Sequence, residues 1–131
     1  LYFKNFKKEN IDLQNDIEFN YLLPAISHSI CYSENDNKTY LFRVDNFNNL
    51  FLSNLGEFNE IFIANNVTNC SLISYNDSLI FAFIKNKKCY VGEIKNDTIV
   101  SCNSIKQISG EHEKCYLYFN NYNGKIYFVL T

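Results

Sequence analysis

Two histidines and five cysteines carry most of the reactive chemistry open to this chain. Hydrolysis by a side-chain nucleophile needs a base placed beside it and a third group to orient the base. His28 lies between Ser27 and Ser29 in an expected strand, with no acidic residue close in sequence, so it reads as a structural histidine. His112 stands in Gly110-Glu111-His112-Glu113, a turn-like stretch expected to face solvent. Cys31, Cys70, Cys89, Cys102 and Cys115 include no C-x-x-C pair, so zinc-ribbon spacing is absent and a metal site would need an irregular ligand set. Gly56, Gly92, Gly110 and Gly124 stand singly, without the clustering of a phosphate-cradling loop. The residues therefore predict a non-enzymatic chain with no catalytic residue, cofactor or metal.

Composition narrows the partners. A net charge of -2 supplies no basic surface to neutralise phosphates, so nucleic acid is not an expected ligand. The basic runs Lys4 to Lys8 and Lys85 to Lys88 are short enough to be solvated strand ends or turns. No apolar run approaches the roughly 20 residues that span a bilayer, and no signal-peptide pattern opens the chain. Met is absent and the chain begins Leu1-Tyr2-Phe3, which predicts a processed product or an excised piece of a longer precursor. Five Asn-x-Ser/Thr sequons, at Asn37, Asn66, Asn69, Asn76 and Asn96, permit secretion but are expected by chance in so Asn-rich a chain.

The elements that must position these residues are strands. Aromatic residues make up 17% of the 131, with Phe 12 and Tyr 10, and such side chains fit a pleated, half-buried surface. Gly 4 and Pro 1 are low for an all-β chain, which leaves the turns to asparagine, whose short amide tolerates the left-handed region. Short apolar runs recur at Ile26 to Tyr32, Tyr40 to Val44, Leu50 to Leu52, Glu60 to Ala64, Cys70 to Tyr75, Leu79 to Ile84, Cys89 to Ile94, Thr98 to Cys102, Cys115 to Phe119 and Lys125 to Leu130. The polar turns between them are too short for parallel crossovers, so sequential antiparallel hairpins are expected. Leu41, Ile80, Phe81, Phe83, Ile126 and Phe128 are the expected inner-strand core. The segment KNFKKENIDLQNDI reads as strands joined by a polar turn, with a short helix as the alternative from the spacing of Phe6, Ile11, Leu13 and Ile17.

The stretch NCSLISYNDSLIFAF, Asn69 to Phe83, has counterparts in SICYSENDNKTYLFRV from Ser29 and CYLYFNNYNGKIYFVL from Cys115. Each is a strand, an Asn-rich turn and a second strand, and further strand pairs alternate with them: LYFKNFKKENIDL, LFLSNLGEFNEIFIA and CYVGEIKNDTIVSC. The recurrence of roughly 40 to 45 residues matches four-stranded propeller blades. The chain is thus expected to form one all-β unit over residues 1–131, about three blades of a larger ring with half-blades at both ends. A self-contained two-sheet sandwich is the alternative. In the hairpin CYVGEIKNDTIVSC a two-residue loop at Lys95-Asn96 would set Cys89 opposite Cys102, a possible disulfide. A loop at Asn96-Asp97 would place the two diagonally, and a cytosolic compartment would keep both reduced.

Trp-Asp dipeptides, kelch double glycines and sialidase Asp-boxes are missing. The degenerate blade ISYNDSLIFAFIKNKKCYVGEIKNDTIV, with cysteines in strands and asparagine in turns, resembles the six-bladed cysteine-rich protective antigen family of malaria parasites. The resemblance spans Cys70 to Cys102. It implies a secreted or surface, disulfide-stapled propeller that binds other proteins in an invasion complex, with no catalytic residues to carry over. The partner expected is another protein or the remainder of a cleaved precursor. Two further readings stay open: a sandwich-type extracellular adhesion module, and a noncatalytic segment of a propeller enzyme; a cytoplasmic location is the alternative to a secreted or surface one.

Overall fold

The computed structural model describes residues 25–55, 60–95 and 104–131. Its ten elements are all strands, and every pairing is antiparallel between chain neighbours. Sheet 1 is a meander of β1 (Ser27–Ser33), β2 (Lys38–Val44), β3 (Leu50–Asn54) and β4 (Glu60–Ala64). Sheet 2 repeats it with β5 (Val67–Tyr75), β6 (Ser78–Lys85), β7 (Lys88–Lys95) and β8 (Ser104–Ile108). Sheet 3 is the pair β9 (Cys115–Asn120) and β10 (Lys125–Leu130). Among the described residues no helix is long and apolar enough to cross a membrane.

Asparagine makes the turns, as its composition predicts. Asn37, Asn48, Asn66, Asn76 and Asn86 all take positive φ between 50 and 65°. That region costs other L-residues steric strain, which the short, locally hydrogen-bonding amide relieves. Asn86 and Lys87 are left-handed together and close the Lys85↔Lys88 pair, the type I′ geometry whose twist matches the flanking strands. At the β2–β3 turn, Asp45 Oδ1 accepts from the N–H groups of Phe47 and Asn49, both at 2.9 Å. These bonds, with that from Asn49 first, hold the Asp45 carboxyl below its ordinary range.

Alternation along the strands creates two cores, because sheet 2 is covered on both faces. On one face Phe42, Val44, Leu50 and Leu52 of sheet 1 meet Val67, Cys70, Leu72, Leu79, Phe81, Phe83 and Ile94. Phe42 meets Phe81 edge-on at 5.5 Å, and Phe81 stacks on Phe83 at 6.1 Å. On the other face Ala82, Ile84 and Cys89 meet Cys115, with Leu117, Phe128 and Leu130 of sheet 3 packed beside them. Of the expected inner-strand residues, Leu41, Phe81 and Phe83 are buried while Ile80, Ile126 and Phe128 are half-buried. The outer face of sheet 1 carries a bidentate ion pair, Arg43 Nε to Glu60 Oε2 at 2.9 Å and Nη2 to Oε1 at 2.6 Å, with the guanidinium over Phe51.

Two expectations need placing. β8 forms at Ser104–Ile108, a strand the sequence did not announce, and sets Ile108 opposite Cys89, while the strand expected at Thr98 to Cys102 lies outside the described residues. Residues 96–103, Cys102 among them, lie outside the described residues, as does the expected first strand pair in residues 1–24.

Candidate functional site

The sheets are joined through their first strands. Ser27 Oγ accepts from the N–H of Cys70 at 3.3 Å, and Ser29 Oγ accepts from the N–H of Leu72 at 3.0 Å. One layer on, Asn69 Oδ1 accepts from the N–H of Cys115 at 2.9 Å and Ser71 Oγ from that of Leu117 at 3.0 Å. The free edge of each first strand would otherwise bury unsatisfied donors, and a polar pair at i and i+2 on the preceding strand supplies the acceptors. These bonds align Ser27 with Asn69 and Ser29 with Ser71. His28 therefore matches Cys70 and Cys115, one residue from the Ser29 alignment of the sequence repeat. The latch residues escaped sequence reasoning, although Ser-x-Ser and Asn-x-Ser at strand starts were a readable signal.

The described cysteines are thiols. Cys70, Cys89 and Cys115 are buried and Cys31 is half-buried, all four free. Burial pushes the Cys31 and Cys70 thiols up to about 12, with the Asp36 carboxylate adding to the effect at Cys31. A folded-state value above the ordinary 9.0 means the unfolded chain ionises first. Stability from this source is therefore complete below about pH 9 and is lost as pH rises toward 12. The urea midpoint should accordingly fall through that window, and Cys70→Ala should flatten the fall. An undiminished decline in Cys70→Ala would assign the effect to other groups.

His28 is exposed on β1, across from Arg43. His112 lines a cleft of ≈ 520 Å³ with Asn48, Asn66, Asn86, Lys87 and Lys114. The His112 N–H donates to the Lys87 carbonyl at 2.7 Å, and ring Nε2 lies 3.0 Å from the Ser109 carbonyl. A carbonyl can only accept, so Nε2 carries the proton and offers no lone pair to a nucleophile. The cleft presents amide and ammonium donors suited to binding polar groups. No group of three or more His, Cys, Asp or Glu able to hold a metal occurs among the described residues.

Among the sequons, Asn37, Asn66 and Asn76 are exposed in turns. Asn69 is spent in the latch, and a glycan there would displace sheet 3. Asn96 lies outside the described residues.

A cluster of exposed aromatic side chains lies on the outward face of sheet 3. Tyr116, Tyr118, Tyr127 and Val129 are 49%, 60%, 42% and 49% exposed, and the register sets Tyr116 beside Val129 and Tyr118 beside Tyr127. Comparison with known proteins returns no matching family model, no matching curated protein and no matching solved structure.

Proposed function

We propose that the chain is a non-enzymatic, protein-binding segment of a β-propeller, of the kind used in secreted adhesion or invasion complexes. Support for the blade reading comes from repetition: two successive four-stranded meanders and a further strand pair, joined by equivalent latches that span 43 and 46 residues. The core between sheets 1 and 2 alone would suit a two-sheet sandwich, but the packing of sheet 3 on the far face of sheet 2 favours a stack of blades.

The observation that carries the binding reading is the Tyr116, Tyr118, Tyr127 and Val129 face. It occupies the position in sheet 3 that on sheet 2 is covered by the next layer. Lys114 and Tyr116 stand where Asn69 and Ser71 stand one layer earlier, and an ammonium offers no acceptor. The latch ends here, so the occupant is held by aromatic packing. That occupant is another antiparallel sheet of a polypeptide, laid face to face as sheets 1 and 2 are. In sedimentation the isolated chain should self-associate through this face, and Tyr118→Glu with Tyr127→Glu should yield a monomer that still unfolds cooperatively. A wild-type chain that sediments as a monodisperse, cooperatively unfolding 15.4 kDa monomer would overturn the reading in favour of a self-contained sandwich.

A further inference from the structure

Cys89 shares its core with a thiol from another sheet. Across sheet 2 the register runs Asn69↔Ile84↔Cys89↔Ile108, so these four side chains form one row on the face toward sheet 3. Cys115, the first residue of β9, sits over that row: its N–H and its thiol both reach Asn69 Oδ1, the thiol at 3.5 Å. Cys89 and Cys115 share one core, at 0% and 1% exposure, close enough for each thiol to shift the titration of the other. Other thiols of the described chain lie elsewhere: Cys70 faces the opposite core and Cys31 packs against it from sheet 1.

We propose that Cys89 and Cys115 are a disulfide-forming pair that staples sheet 3 to sheet 2. The proposal rests on the packing between these sheets and is independent of the propeller reading. The bond forms by exchange with a small-molecule disulfide such as oxidised glutathione. Two S–H bonds break and one S–S bond forms, while the S–S bond of the oxidant breaks and takes up the two electrons and the two protons to give two thiols. Closure requires the Cys115 thiol to turn from Asn69 Oδ1 and the Cys89 thiol from the Tyr90 carbonyl, which lies 4.0 Å away. Burial raises both thiols above their ordinary value, most strongly at Cys115, so the docked pair resists ionising. Exchange therefore takes place as the chain folds, before sheet 3 seals the joint.

The test is to refold the full chain in a glutathione redox buffer, trap thiols by alkylation at low pH, digest without reduction and identify linked peptides by mass. The expected product joins the Cys89 and Cys115 peptides, two hydrogens lighter than their sum, with Cys31 and Cys70 alkylated. Cys102→Ser should leave the link in place. The oxidised chain should show a folded-to-unfolded ratio on the order of a hundredfold higher than the reduced chain. Recovery of Cys89 alkylated, or joined to Cys102, would overturn the assignment. So would loss of the link in a folded Cys102→Ser chain.

Discussion

Phe81→Ala should destabilise the chain by about 3–5 kcal/mol, the cost of losing a buried phenyl ring and leaving a cavity behind it. Phe81 is 0% exposed in the middle strand pair of sheet 2, edge-on to Phe42 and stacked on Phe83. A domain of this size holds only about 5–15 kcal/mol in total, so the variant should lie close to unfolding at room temperature. Urea denaturation followed by tyrosine fluorescence measures the loss. Because Phe42 and Phe81 share one contact, Phe42→Ala on top of Phe81→Ala should cost less than the two single losses added. A loss under 1 kcal/mol from Phe81→Ala would mean that sheets 1 and 2 do not pack through this ring.

The second large effect is expected from removing the latch. Asn69→Ala with Ser71→Ala strips the acceptors from the Cys115 and Leu117 N–H groups, which are held at 2.9 and 3.0 Å. Each buried donor left without a partner costs about 1–3 kcal/mol. The loss should be local. Amide exchange in β9 and β10 should accelerate while β5 and β6 keep their protection through their own ladder and the Phe42–Phe81 core. Uniform acceleration through all three sheets would mean instead that they unfold as one unit and that the latch does not define the boundary of sheet 3.

How much of this was legible depended on the range of the interaction. The Asn76-Asp77 turn and its flanking runs announce a hairpin within ten residues, and β5 and β6 close it through the Tyr75↔Ser78 pair. Glu60–Ala64 and Lys125–Leu130 match their expected strands residue for residue. β8 was not legible because Ser104-Ile105-Lys106-Gln107-Ile108 spaces its isoleucines by three and gives no alternation. Only pairing with β7 makes a strand of this segment. Ser27, Ser29, Asn69 and Ser71 were visible only as polar residues at strand starts, since the donors they satisfy lie 43 to 46 residues onward.

By itself the sequence determined the all-β class, the antiparallel hairpins and asparagine as the turn residue, because turn geometry and the two-residue strand period act over a few neighbouring positions. The tertiary structure alone decided which face of each sheet is covered, that Cys89 lies beside Cys115 and across from Ile108, and that the tyrosines of sheet 3 point outward. Those outcomes turn on register and on the stacking of separate sheets. A shift of one residue exchanges the two faces of a strand, and the oxygen that satisfies an edge N–H belongs to another sheet.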